Sequence, residues 1–546
     1  VNHNIAHTLT KSAALLGEKT GLIEAVSGRT MSFRELAARS DSYAHLLEKK
    51  GIKPGTRVML MVKPSADFIC LTFALFKVGA PVILIDPGMG YKNLLRCIEG
   101  VRPLAFIGIP KAHLFRILFR KPFATVKYSL CLGNSLGLFG KDISQAADRD
   151  YGAYHSYKAA EDDLAAIIFT TGSTGPPKGV RYEHSIFEAQ LRLIRDYYGI
   201  GPGQVDQPAF PLFALFSTAL GATAVIPDMD PTQPAKVNPQ RFVESIEKYG
   251  VTYSFGSPAI WNVISRYCSK GDRRIKTLDK VLMAGAPVSG ELIARMQDVL
   301  SPNANIHTPY GATESLPIVS IEGREITETT WQHTRAGKGT CVGRPLPGIE
   351  IAILPISDTV IPTFQHRDFL LPGVIGEIIV SGDVVTRGYE NNKNEDSMAK
   401  IPDGKRFWHR MGDVGYLDEE GRLWFCGRRA HRVVLESKNI TETLYTIPCE
   451  AIFNNHPDVF RSALVGVMGS AKQIVAVMVV EPEKGFTRTT DQLIAEVKKM
   501  GKDEPLTTSI QYYLVHPDFP VDIRHNAKIF REKLSIWAAE ELKGLI

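Results

Sequence analysis

From its first residues to about residue 340 the chain alternates helical and strand patterns, and no other feature constrains its fold as tightly. "MSFRELAARSDSYAHLLEKKG" (31–51) has apolar residues at helical spacing, a Ser32 cap and a Gly51 stop, and "RVMLMV" follows as a strand. "SADFICLTFALFKVG" then "PVILID", "NPQRFVESIEKYG" then "VTYSFG", and "SGELIARMQDVL" then "NIHTPYG" repeat the rhythm. Such alternation predicts βαβ units, a largely parallel sheet and helices on both faces. Ligands of such sheets gather at the C-terminal ends of the strands, where the glycine-containing turns lie. From about Cys341 the pattern shortens to "GIEIAILP", "GEIIVSG" and "GYLDEEGRLWFCG", a small β-structure closing the large domain. After Gly427 mixed α/β text runs to the end. With 546 residues, more than one core holds, the expected division is a large domain over 1–428 and a small one over 429–546.

The function classes that composition excludes are few. A net charge of +6 on this length gives little support to nucleic-acid binding. The seven cysteines are scattered, odd in number and never paired as C-x-x-C, which fits neither a disulfide framework nor a zinc cluster and points to a reducing cytoplasm. The opening "VNHNIAHTLTKSAALLGEK" lacks the basic-then-apolar order of a signal peptide. The longest apolar stretch, Phe68 to Ile85, is broken by Lys77, Gly79 and Pro81 and reads as a buried helix followed by a strand.

Chemistry enters with "IIFTTGSTGPPKGV" (167–180), a buried strand that breaks into hydroxyl residues, glycines, prolines and Lys178. It has the make of a phosphate loop without being a Walker loop, because Lys178 is followed by Gly179 and by no Ser or Thr to hold magnesium. Four further stretches follow: "AGAPVS" (284–289), "TPYGATES" (308–315), "MGDVGYLDEEG" through "CGRR" (411–429) and "HNAKIFREKL" (525–534). Each alone reads equally well as a turn or a solvated surface.

In this order and spacing the set resembles the adenylate-forming superfamily: acyl-CoA synthetases, luciferases and peptide-synthetase adenylation domains. The resemblance covers nearly the whole chain and implies an α/β fold, with a large N-terminal domain of doubly wound sheets plus the small β-structure, then a small mobile α/β C-terminal domain. It implies ATP and Mg2+. Thr170, Thr171, Gly172, Ser173, Thr174, Gly175 and Lys178 would wrap the β- and γ-phosphates, which leave as pyrophosphate. Gly285, Ala286 and Pro287 would wall the adenine, and Tyr310, followed by Gly311, would stack on it. Thr313 would bond the α-phosphate. Glu314, with Thr171, would hold magnesium, a hard cation that prefers oxygen ligands. Asp413 would accept from the ribose hydroxyls beside Arg428. Lys528 would reach from the small domain to the carboxylate and α-phosphate as carboxylate oxygen attacks phosphorus.

Four positions depart from the superfamily pattern. Pro520 lies eight residues before Lys528 instead of six, and Ala527 replaces a glycine. Ala430 stands at the hinge, where Asp or Lys is usual. No glycine occurs between Gly427 and Gly466, where the superfamily's pantetheine tunnel needs one. Ala214 in "FPLFALF" replaces a gate histidine. Together these point to a second step without a thiol. "HRVVLESKNITETLYTIPCEAIFNNHPDVFRSALVG" and "FPVDIRHNAKIFREKL" look like the β-lactone synthetases of bacterial long-chain olefin biosynthesis. Those activate a 2-alkyl-3-hydroxy fatty acid whose own hydroxyl closes the lactone, and the resemblance implies assembly with other enzymes of that pathway. A long-chain acyl-CoA or acyl-AMP ligase is the alternative, and a catalytically dead acyl- or nucleotide-binding protein a third. "KAHLFRILFRKPF" (111–123) reads either as a packed helix with a basic edge or as a basic amphipathic helix on a membrane surface.

Overall fold

The structure, a computed structural model, describes the chain except for residues 1, 171–175, 211, 366–367, 438–439, 471–472 and 523–527. Two sheets carry the chain as far as Arg428. In the first, six strands run in the order Tyr128–Cys131, Ala105–Gly108, Val58–Met61, Val82–Leu84, Leu164–Phe169 and Gly179–Glu183. Neighbours are parallel except the last pair. The helix Phe33–Lys49 starts where the sequence places its cap. Glu35 N donates to Ser32 Oγ at 3.2 Å, and Ser32 N donates to the Glu35 carboxylate at 2.6 Å.

The second sheet has fourteen strands. Thr20–Glu24, Thr223–Ile226, Val205–Asp206, Tyr253–Gly256, Lys280–Met283 and Asn305–Ala312 lie side by side in parallel. Ser315–Glu322, Thr340–Pro345, Leu423–Arg428, Arg406–Leu417, Gly376–Ser381 and Glu350–Leu354 continue it antiparallel. Strand direction changes at the hairpin Asn305–Ala312/Ser315–Glu322, ahead of the change of pattern at Cys341, and Thr340–Pro345, which pairs on both sides, carries the same sheet across that point.

After Arg428 a single helical turn, Arg429–His431, leads to the hairpin Val433–Ser437 and Ile440–Leu444. The three strands Val459–Met468, Ile474–Pro482 and Tyr512–Val515 follow, with helices Thr446–Phe453, Thr490–Asp503 and Arg531–Glu541. This part buries its own apolar cluster around Phe453, Leu464, Met478 and Leu493.

The apolar stretch from Phe68 is the core helix Ala66–Val78, buried on nearly every side. Lys77, which interrupts it in sequence, is itself 1% exposed; its ammonium lies 2.6 Å from Asp41 Oδ1 and donates to Ala37 O. Burial lowers the Lys77 ammonium from its ordinary value, and Asp41 opposes that shift. No helix among the described residues is long and apolar enough to cross a membrane. All seven cysteines are buried free thiols.

A buried ammonium survives only with its partner. We predict that Asp41→Ala costs about 3–5 kcal/mol in urea denaturation, whereas Asp41→Ala combined with Lys77→Met costs much less. Equal stability of Asp41→Ala and the parent would show that this pair does not anchor the helix.

Candidate active site

The C-terminal ends of the parallel strands open into one cavity of about 1020 Å³, which also receives residues from beyond Arg428. Its nucleotide-like end is built on a hairpin. Asn305–Ala312 and Ser315–Glu322 turn through Thr313 and Glu314, and Gly311 is where the two backbones close. A Cβ on Gly311 would meet Ser315 O at 2.5 Å, so no other residue fits. Tyr182 Oη donates to Thr313 O at 2.5 Å and Thr386 N donates to Glu314 O at 2.9 Å, which fixes the turn. Gly285, at φ +100°, begins the wall that Ala286 and Pro287 continue.

Asp413 sits at the centre of this end and is almost fully buried. Tyr310 Oη donates to Asp413 Oδ2 at 2.5 Å, and Arg428 Nη1 lies 2.9 Å from Oδ1. Arg428 and Tyr310 thus engage one carboxylate oxygen each. Burial raises the Asp413 carboxyl, while Arg428 and Tyr310 hold it down. Each oxygen retains a second lone pair that can accept from a ligand hydroxyl.

Glu314 and Lys178 meet at Tyr389, a residue that no local sequence signal marks. Tyr389 Oη donates to Glu314 Oε1 at 2.8 Å, and Lys178 Nζ stands 5.4 Å from the centre of the Tyr389 ring while pairing with Glu395 at 2.5 Å. Thr170 and Lys178 close the base of the phosphate loop, Thr170 N donating to Lys178 O at 3.0 Å. Thr171, Gly172, Ser173, Thr174 and Gly175 lie outside the described residues, and with them the Thr171 metal assignment. Glu314 offers carboxylate oxygen, a donor that suits a hard divalent cation.

Lys528 lines the same cavity beside Arg428 and Ala430. Burial, then the charge of Arg428, lowers its ammonium from the ordinary value. The longer spacing from Pro520 is absorbed by a fold-back: Asp522 N donates to Lys528 O at 3.0 Å and Val521 bridges Ile529. Three residues on, Arg531 clasps buried Glu450 through two contacts of 2.7 Å and thereby fixes the lysine segment to the helix Thr446–Phe453. His431 also lines the cavity; burial and Arg531 push it down to about 4, and its Nε2 is 3.2 Å from Glu532. The glycine-free stretch after the hinge forms the hairpin Val433–Ser437/Ile440–Leu444, and the cavity lining passes from His431 to Thr446 without it.

The other end of the cavity is apolar. On the helix Leu212–Ala219 and the residue after it, Phe213, Phe216, Ser217 and Leu220 face the cavity at helical spacing, and Phe213 stacks on Phe255 at 3.7 Å. Ala214 turns the other way, into the core, so the expected gate position is not a cavity wall. Sequence reading missed a polar group here. Asp206, from the strand Val205–Asp206, accepts from Ser217 Oγ, and Tyr253 stands beside it. Burial pushes the Asp206 carboxyl well above the carboxylate range, against the pull of the two hydroxyls. Its pocket is formed by three separate segments, so sequence spacing holds no sign of it.

The family description AMP-binding enzyme matches residues 9–390. The chain belongs to the AMP-binding enzymes. This AMP-binding enzyme is 45% identical over 521 residues to the olefin beta-lactone synthetase of Xanthomonas campestris pv. campestris, covering 94% of this chain and 91% of that one. It is 43% identical to the olefin beta-lactone synthetase of Stenotrophomonas maltophilia, covering 94% and 92%. In fold it is similar to the amide bond synthetase McbA of Marinactinospora thermotolerans (TM-score 0.79, 22% identity, 98% of this chain and 99% of that one). It is equally similar to ATP-bound MatB of Rhodopseudomonas palustris (TM-score 0.79, 19% identity, 99% and 100%). The superfamily resemblance and the α/β class read from the sequence both hold, and the chain is an adenylate-forming ligase.

Because Asp413 can still accept from a ligand hydroxyl, we predict that Asp413→Ala weakens ATP binding by about 1.5–3 kcal/mol, the worth of hydrogen bonds to a charged group. Titration calorimetry checks it; an unchanged dissociation constant would remove Asp413 from the nucleotide site.

Proposed function

We propose that this enzyme activates a long-chain 2-alkyl-3-hydroxy fatty acid with ATP and closes it to a β-lactone. The observation that carries the reading, alongside the 43–45% identity to olefin beta-lactone synthetases, is the Asp206–Ser217–Tyr253 group beside the aromatic and aliphatic wall of Phe213, Phe216, Leu220 and Phe255. A hydroxyl on the chain finds a hydrogen-bonding partner in this cluster, whereas a plain acyl chain leaves the cluster to bond only within itself.

In the first step a carboxylate oxygen attacks the α-phosphorus of ATP and pyrophosphate leaves. Lys528 neutralises the charge that gathers on the phosphoryl oxygens, aided by Thr313. Asp413, Arg428 and Tyr310 hold the ribose and base against the wall Gly285, Ala286, Pro287, with Gly311 keeping the hairpin closed. Thr170 and Lys178, with residues 171–175, take the β- and γ-phosphates. Magnesium would be held at Glu314 with Thr171, where it would screen phosphate charge. In the second step the 3-hydroxyl oxygen attacks the acyl carbon, the bond from that carbon to the phosphate oxygen breaks, AMP leaves with the bonding pair and the hydroxyl proton passes to water. Placing nucleophile and leaving group in one molecule contributes up to about 7–11 kcal/mol in well-oriented systems, which offsets part of the ring strain. Residues 429–546 act as the lid domain that carries Lys528 to the large domain, 1–428. Contact with a membrane through residues 111–123, and assembly with other enzymes of olefin formation, complete the reading.

Two measurements test it. Lys528→Ala should slow acid-dependent pyrophosphate exchange more than about 100-fold while ATP still binds, since the lysine acts on charge developed in the transition state. Exchange at the parent rate would place the lysine elsewhere. With the parent enzyme, mass spectrometry should find lactone and AMP from ATP and a 3-hydroxy acid, indifferent to coenzyme A, and no turnover of the acid lacking that hydroxyl. A thioester formed from a simple fatty acid at a matching rate would make the enzyme an acyl-CoA ligase.

A further inference from the structure

The contact through residues 111–123 is one part of a larger surface. Between residues 91 and 141 the chain carries nine lysines and arginines against a single acid, Glu99, a net of +8. The whole chain carries only +6, so the remaining residues together sum to −2 and the basic excess of the molecule lies entirely in this segment.

The same segment exposes large apolar side chains. The helix Pro110–Leu118 turns Ala112 and His113 inward, where His113 Nε2 bonds Leu130 O at 2.9 Å. Leu114, Ile117 and Leu118 face out, Leu118 at 75% exposure. Two ring contacts join distant segments to this helix. Phe139 stacks on His113 at 5.2 Å and 14°, which ties to this helix the segment that carries Leu136 and Leu138, 87% and 78% exposed. Tyr91, exposed at the head of the helix Tyr91–Val101, stacks on Phe119 at 6.5 Å. Exposed Lys111, Arg120 and Lys121 lie along the helix and the turn after it.

Leucines exposed this fully and this close together are uncommon on a surface that meets only water. Apolar side chains within a basic field have the chemistry of interfacial binding: leucines enter the headgroup and acyl boundary while lysine and arginine meet anionic headgroups. We propose that this face docks the enzyme on an anionic lipid surface. A second copy of the chain is a poor occupant, because a symmetric contact would set one +8 segment against another. Nucleic acid is no better served, since leucines neither stack on bases nor contact phosphate.

The test needs neither nucleotide nor acid, so its outcome is separate from that of the lactone reaction. The full chain is sedimented with vesicles of phosphatidylcholine alone and of phosphatidylcholine mixed with phosphatidylglycerol. Binding is expected with the mixed vesicles, falling as salt rises. The pairs Leu118→Ser with Leu138→Ser, and Lys111→Glu with Arg120→Glu, should each weaken it about tenfold or more, with thermal unfolding and adenylation of a soluble short-chain acid unchanged. Equal recovery with both kinds of vesicle, or parent-like binding by both variants, overturns the proposal. A dimer in solution that the leucine variants dissolve would overturn it too, by giving the face to a second copy.

Discussion

A carboxylate as deeply buried as that of Asp413 stays charged only through Arg428 and Tyr310, and the geometry of the site depends on that three-way contact. The three residues come from Arg406–Leu417, Leu423–Arg428 and Asn305–Ala312, so one ion pair and one hydrogen bond draw the antiparallel and parallel portions of the second sheet onto a common point. Arg428 is the last residue before the turn to the small C-terminal part, so the same contact sets where that part begins. Tyr310 borders the hairpin turn that carries Thr313 and Glu314. A substitution at Asp413 is therefore felt by the wall, the turn and the hinge together.

Comparable pairs hold the other pieces. Arg410 and Glu377, both buried, meet through bonds of 3.0 and 2.7 Å, and Arg410 also donates to Ser357 O and Thr359 O; Arg429 reaches the same Ser357 carbonyl from the hinge. Arg531 and Glu450 do the same for the lysine segment. Buried ion pairs add little net stability, but a broken one is costly, so they favour a single arrangement of the strands that bear them. Among the described residues the end of the cavity lined by Phe213, Phe216 and Leu220 has no such pair. Asp206 is there with two hydroxyls and no cation, and burial drives it toward the neutral acid, a state suited to exchanging hydrogen bonds with a hydroxyl and ill suited to binding an ion.

How much was legible in the sequence follows the range of the interaction concerned. Periodicity predicted the βαβ rhythm, the Ser32 cap and the buried helix from Phe68, because these depend on neighbours a few residues apart. The motifs around Lys178, Gly285, Tyr310, Asp413 and Lys528 could be picked out because each is compact and their order along the chain is distinctive. The fourteen-stranded continuity across Cys341 could not, since pairing of Thr340–Pro345 with two partners is a fact of register and not of composition.

What the sequence determined by itself is the class of fold and the family. Only the tertiary structure decided that Tyr389 joins Glu314 to Lys178, that Ala214 belongs to the core, and that Asp206, Ser217 and Tyr253 make one polar group. It alone showed that the segment with Leu136 and Leu138 is tied to the helix Pro110–Leu118, through Phe139 on His113. The physical reason is common to all of these. Each is a contact between side chains far apart in the chain, specified by how sheets and helices pack, and no local spacing encodes it.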